Sequence, residues 1–138
     1  MVEIRNYKDS DYEDVKTNLK EGDLYDEVWD SRENLKKKIE RDPDSIIVAV
    51  EDGKAIGNIY VIRDGWANFV FRLAVRKTHR NKGIAKVLMK EAETRLKQIG
   101  VKECSLFVRD DDNKLKEWYK KQGYQASKRK HQAMWKEL

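Results

Sequence analysis

Residues 73–88 read LAVRKTHRNKGIAKVL, and this stretch decides the fold. An apolar strand end, Leu73-Ala74-Val75, runs into a basic turn that closes on Arg80-Asn81-Lys82-Gly83-Ile84-Ala85, and an amphipathic helix follows. A backbone that leaves a strand and enters a helix directs several free N–H groups, and the positive end of the helix dipole, at one point. Gly83 has no Cβ, so the backbone there can come close to a ligand. Arg76, Lys77, Arg80, Lys82 and Lys86 surround the turn with cations. This combination describes a phosphate cradle, with a pyrophosphate as its natural occupant. A solvated charged loop is the competing reading of the same residues. The stretch is neither the Gly-x-x-x-x-Gly-Lys-Ser/Thr loop nor the Gly-x-Gly-x-x-Gly fingerprint.

Moving outward, the helix over 83–98 places Ile84, Leu88, Ala92, Leu96 and Ile99 on one face, and Gly100 ends it. Upstream, Ile46–Val50 reads as a buried strand, Asp52-Gly53 as a two-residue hairpin turn, and Lys54–Ile62 as the returning strand. Asp64-Gly65 is a second such signal, leading into a strand over Trp66–Val75. Before these, Val2–Tyr7 alternates like a strand, and Asp9 or Ser10 can cap a helix through about Lys20 that Gly22 ends. Asp30 with Glu33 resembles a capping box for a helix carrying Leu35 and Ile39, with Ser31 as the alternative cap and Pro43 closing it. Downstream, Lys102–Val108 reads as a strand, so that strand, helix and strand form a parallel pair with a right-handed crossover. Asp110–Asp112 can cap a helix through Gln122, and Tyr124–Arg129 with Gln132–Leu138 can form a last hairpin.

Length and composition narrow the classes. The 138 residues, without repeats or low-complexity linkers, read as a single domain, 1–138. Charged residues make up 40% and apolar residues 39%, the latter in patterned blocks that argue against disorder. No apolar run is long enough for a membrane span, and MVEIRNYKDS lacks the apolar core of an export signal. The lone Cys104 has no internal partner, which suits a reducing cytoplasm, and its place in ECSLFV reads as core packing. No Cys/His/Asp cluster has metal-ligand spacing, so no metal is expected. The net charge of +5 is segregated: Glu21, Asp23, Asp26, Glu27, Asp30 and Glu33 with only Arg32 among them make −5 over 21–33, leaving +10 elsewhere. An acidic segment of this kind would repel a nucleic-acid backbone, and the basic turn lacks interleaved aromatics, so no nucleic-acid partner is expected.

The run Arg80-Asn81-Lys82-Gly83-Ile84-Ala85 resembles the Arg/Gln-x-x-Gly-x-Gly/Ala signature of the GNAT superfamily of N-acetyltransferases. Leu73-Ala74-Val75 is similar to that family's preceding strand end, and Tyr119 with Gly123-Tyr124 to its second motif. The resemblance covers Val48 to Tyr124, and the N-terminal third by order of elements. It implies an α/β (α+β) single-domain acetyltransferase fold, a mixed, mostly antiparallel sheet of about six or seven strands with one splayed parallel pair and about four helices. Acetyl-coenzyme A is then the co-substrate. Leu73, Ala74 and Val75 would pair with its pantetheine arm, and Arg80, Asn81, Lys82, Gly83, Ile84, Ala85 and Lys86 would hold its pyrophosphate. Tyr119 matches the family tyrosine that protonates the leaving sulfur, and a phenol is protonated at neutral pH. The family's asparagine, seven residues before that tyrosine, is here Asp112, with Asn113 beside it as the candidate cofactor contact.

Coenzyme A delivers an activated acyl group, so no protein nucleophile is needed. The strand before the turn, WANFVFRLAV, carries no acidic base, and Arg72 occupies the neighbourhood. Asn68, a backbone carbonyl, or the segment around Tyr25, Asp26 and Glu27 is left as the source. His79 and His131 read as structural or surface residues. The expected activity is direct transfer of an acetyl group to the primary amine of a small molecule, protein or peptide. Carboxylates beside Tyr25 and Trp29 suit a cationic amine. A catalytically idle acyl-coenzyme A sensor, or an acyltransferase with another acyl chain or acceptor, stand as alternatives. A membrane partner is not expected, and a homodimer is left open.

Overall fold

The computed structural model describes residues 1–138. Packing divides the chain into two compact units, Met1–Phe107 and Val108–Leu138. The first holds strands β1 (Glu3–Asn6), β2 (Ile46–Glu51), β3 (Lys54–Arg63) and β4 (Asn68–Val75) with helices α1 (Tyr12–Glu21), α2 (Arg32–Arg41) and α3 (Ile84–Gln98). The second holds one helix, α4 (Asn113–Lys121).

The sheet runs β1-β2-β3-β4, antiparallel throughout. Asp52 and Gly53 both take positive φ, 50° and 75°, the geometry in which a two-residue turn matches strand twist. Along β3 the two faces separate cleanly. Tyr60 joins Val15 and Leu19 of α1 and Leu35 of α2 in one core layer with Ile46, Val48 and Val50. Gly57 faces α3 instead: a Cβ there would meet Leu88 Cδ1 at 3.1 Å and Ile84 Cγ2 at 3.3 Å. Leu88, Met89, Ala92 and Leu96 are buried along α3, which packs on β2, β3 and β4. The first unit is therefore a sheet between two helical layers.

Several boundaries differ from the sequence reading. Ser31, not Asp30, caps α2, its hydroxyl accepting from the Asn34 N–H at 3.1 Å. Asp30 is drawn into the interior by an arginine on β4. The second hairpin is longer than two residues, because the Asp64 carboxylate accepts from the N–H groups of both Trp66 and Ala67. A short 3-10 turn, Asp9–Asp11, precedes α1, and the Asp11 carboxylate accepts from Arg5 at 2.7 and 2.9 Å.

The expected sheet of six or seven strands with a splayed parallel pair is not what forms. The fold is α+β with one four-stranded antiparallel sheet and four α-helices. Of the strand expected over Lys102–Val108, an isolated bridge from Phe69 to Ser105 remains, closed by Ser105 N to Asn68 O at 2.8 Å and Val70 N to Ser105 O at 3.1 Å. The hairpin over Tyr124–Leu138 is absent; residues 125–138 are exposed and form no strand. The reason is the lack of a buried face: the run Lys128-Arg129-Lys130 interrupts the tail, and Met134 and Trp135 remain about 90% exposed. An isolated bridge to one strand lacks the ladder cooperativity of a full strand.

Candidate functional site

The strand that leads to the basic turn bulges before reaching it. Asn58 pairs with Ala74 and Tyr60 with Phe71, so Arg72 and Leu73 together oppose Ile59. Arg72 takes a φ of 53°, uncommon for a residue with a side chain, and two contacts hold it there. Its carbonyl accepts from Asn58 Nδ2 at 2.8 Å. Its Nε reaches both carboxylate oxygens of Asp30, at 3.2 and 3.3 Å, and Asp30 is 2% exposed.

From Asn58 a chain of bonds leads to the far side of the bulge. Asn58 Oδ1 accepts from Asn18 Nδ2 at 3.1 Å, Asn18 Oδ1 from Arg76 Nε at 3.0 Å, and Arg76 Nη2 donates to the Asp14 carbonyl and Oδ1 at 3.2 Å. Asn18 and Asn58 are fully buried. The bulge and the start of the turn are thus tied together through α1. Past the bridge at Phe69, β4 pairs only with β3, so the other edge of Leu73–Val75 carries no strand.

The turn itself is anchored to α1. Lys77 N–H donates to Glu21 Oε1 at 2.8 Å, and Arg80 donates to the Val75 and Glu21 carbonyls at 2.9 and 3.2 Å. Arg80 therefore clamps the turn to the strand end. Asn81 and Gly83 take left-handed φ values of 62° and 82°, and Gly83 opens α3 without a side-chain cap. The first helical bond is Val87 N to Gly83 O, which leaves the N–H groups of Ile84, Ala85 and Lys86 pointing out of the helix end. A Cβ at Gly83 would meet nothing within 4 Å, so the space before these donors is open. Lys82 and Lys86 are exposed beside it. Backbone donors, a helix dipole and two cations around an open approach fit a pyrophosphate.

In the second unit, Asp112 is the cap of α4, its carboxylate accepting from the Leu115 N–H at 3.0 Å, and Asn113 is the first helical residue. Tyr119 is half-buried between the rings of Trp118 and Tyr124, with centroids at 5.0 and 5.7 Å. Burial pushes its phenol above the ordinary value, which keeps the proton on it at neutral pH. The residues Leu73–Val75 and Arg80–Lys86 are contiguous in the first unit; Asn113 and Tyr119 share a helix in the second.

The acidic segment is more occupied than its composition suggests. Glu21 receives Lys77, Asp30 holds Arg72, and the Asp26 carboxylate accepts from the Val28 and Trp29 N–H groups at 2.9 Å. Those last two bonds keep Asp26 below its usual range. Asp23, Glu27 and Glu33 remain exposed. His79 sits at 3.5 Å from Glu51 and 2.7 Å from the Thr78 hydroxyl, a surface contact, and His131 lies in the exposed tail. No three His, Cys, Asp or Glu side chains converge as metal ligands would, and no helix is long and apolar enough to cross a membrane.

Sequence reasoning passed over Asn18, Asn58 and Lys38. Asn58 had a signal, as the one amide within the apolar run of β3. Lys38 had none, because its burial depends on how α2 lies over β3.

Comparison with known proteins gives the family. Residues 3–124 match the acetyltransferase (GNAT) family. An acetyltransferase of Sodalis glossinidius is 31% identical over 124 residues, covering 90% of this chain and 87% of the relative. An acetyltransferase of Pectobacterium atrosepticum is 30% identical over 125 residues, covering 91% and 89%. Among solved structures, the PaiA N-acetyltransferase of Thermoplasma acidophilum in complex with coenzyme A superimposes with a TM-score of 0.80 at 24% identity, covering 94% of this chain and 93% of that one. Ard1 of Thermoplasma volcanium gives 0.79 at 20% identity, covering 91% and 84%. At those identities the structures speak for the fold alone, whereas the match over 3–124 and the curated relatives place the chain in the GNAT family of acetyltransferases.

Proposed function

We propose that the chain transfers an acetyl group from acetyl-coenzyme A to a primary amine. The observation that carries this reading is the continuity from an unpaired strand edge, Leu73–Val75, through the Arg80-clamped turn to the uncapped start of α3. When bound, the co-substrate supplies an acyl group already activated as a thioester. Ile84, Ala85 and Lys86 N–H groups, with Lys82 and Lys86, would hold its diphosphate, and Asn81 with Gly83 shapes the approach. Backbone donors and acceptors at Leu73–Val75 suit an extended amide arm, as an added strand would.

The amine nitrogen attacks the carbonyl carbon, the C–N bond forms as the C–S bond breaks, the nitrogen sheds one proton to solvent and the departing thiolate takes one proton. The GNAT resemblance assigns that proton to the Tyr119 phenol, which burial keeps protonated. A chain without an acidic base on β4 calls for an amine that arrives neutral or loses its proton to water. Incubation of the protein with acetyl-coenzyme A and a mixture of primary amines, read by thiol release, tests the reading. Release above the protein-free rate is expected; hydrolysis alone, with no acceptor dependence, would leave an acyl-coenzyme A-binding protein without transferase activity.

A further inference from the structure

A cleft of the first unit lies between α2 and strands β3 and β4, with a volume of about 620 Å³, within the range of small-molecule sites. Its wall includes Trp29, Leu35, Lys38, Tyr60, Phe71 and Arg72, so it reaches the bulge of β4. Phe71 stands edge-on to Tyr60, with ring centroids at 5.4 Å, and forms an aromatic floor.

The charges on this wall do not balance. Asp30 is taken by Arg72 and Asp42 by Arg63, the second pair bidentate at 2.7 and 2.8 Å. The Asp64 carboxylate faces its own turn and accepts from Trp66 and Ala67 N–H groups. Lys38 and Arg41 are the wall's cations left without a carboxylate partner. Lys38 is the deeper. Its ammonium donates to the Val61 carbonyl at 2.7 Å and lies 5.4 Å over the Phe71 ring. One carbonyl and a ring face satisfy an ammonium poorly, since it has three donors and a full charge. Burial accordingly pushes Lys38 down to about 8, with Asp42 acting on it only from beyond ion-pair distance. An anion supplied from outside would correct this deficit.

Resting on the acetyltransferase reading above, we propose that this cleft receives the acceptor, and that the acceptor is a small amine bearing a carboxylate or phosphate that pairs with Lys38. Its amine end then lies toward the bulge of β4 and its anionic end under α2. This choice differs from the cationic acceptor suggested by the composition of residues 21–33, because three of those six carboxylates have fixed partners inside the protein.

Binding and turnover separate the two readings. Calorimetry on the full chain, with coenzyme A present, would use O-phosphoethanolamine and 3-aminopropanoate against ethanolamine, ethylamine and spermidine. Either anionic amine is expected to bind at least tenfold tighter than its uncharged-tail counterpart, and the two probes tell phosphate from carboxylate. Lys38→Met is expected to abolish that advantage, while Lys38→Arg retains part of it and both leave coenzyme A affinity unchanged. Equal binding of anionic and neutral amines, tighter binding of spermidine, or an advantage that survives Lys38→Met would overturn the proposal. Thiol release by the unmodified protein with any amine bears on the transferase reading independently.

Discussion

Asn58 offers the sharpest test of how the site is held. Replacing it with alanine removes the 2.8 Å donor to the Arg72 carbonyl and the 3.1 Å acceptor of the Asn18 amide. Each bond is worth about 1 kcal/mol net, and a buried carbonyl stripped of its donor adds a further ~1 kcal/mol. Asn18 retains the Ala55 carbonyl at 3.0 Å, which limits the damage on that side. The expected loss is therefore about 3 kcal/mol, or on the order of 10 °C in Tm for a chain of this length. Urea denaturation followed by far-ultraviolet circular dichroism reads it directly, provided the m-value is unchanged. Asn58→Asp sharpens the test, because it keeps an acceptor for Asn18 but faces the Arg72 carbonyl without a donor. A loss below about 0.5 kcal/mol for Asn58→Ala, or an aspartate tolerated as well as asparagine, would refute the claim that this amide holds the bulge.

Gly83→Glu is expected to abolish coenzyme A binding by calorimetry, because it puts a carboxylate and a Cβ where an open approach meets the α3 donors. It also strains a left-handed position at a cost of about 1 kcal/mol, so circular dichroism should show a folded protein. Tyr119→Phe keeps the packing against Trp118 and Tyr124 and removes the proton, so kcat should fall roughly ten- to a thousand-fold with little change in coenzyme A affinity; undiminished kcat would return Tyr119 to a packing role. The Arg63 guanidinium holds Asp42 below the usual carboxylate range, so the stability from this pair is present above the unfolded value near ~4 and is lost as pH falls through the lower folded value. Asp42→Asn should flatten the acid limb of the stability curve and cost about 1 kcal/mol at neutral pH, the pair being partly screened by solvent.

What the sequence disclosed followed how local the controlling interaction was. The Asp52-Gly53 turn, the Gly22 and Pro43 helix ends and the strand–turn–helix around Gly83 are set by backbone preferences of the residues themselves. Asp30 deceived for the opposite reason: with Glu33 it read as a better capping box than Ser31, but Arg72, 42 residues away, claimed its carboxylate. Lys102–Val108 alternated like a strand, yet a strand needs neighbours, and the charged tail supplied none. The bulge at Arg72 left no mark within its own strand, since the Asn58 amide and the Asp30 carboxylate that hold it lie elsewhere in the chain. At the candidate site the strand–turn–helix backbone was legible, whereas the commitment of Arg80 to the turn and the half-buried cation of the α2 cleft emerged only from packing.

The chain from Arg76 to Arg72 has a direction. The Arg76 N–H donates to the Asn18 oxygen, the Asn18 amide donates to the Asn58 oxygen, and the Asn58 amide donates to a carbonyl. One terminus is a guanidinium that can only donate, and the other is a backbone oxygen that can only accept. Between such ends neither amide can be inverted without setting donor against donor, so a single orientation of both is enforced, and successive dipoles align and reinforce one another. The three positions therefore form one unit of inheritance. A homologue that replaces position 18, 58 or 76 must change the others with it, and related sequences should show these three columns varying together although they stand 40 and 18 residues apart.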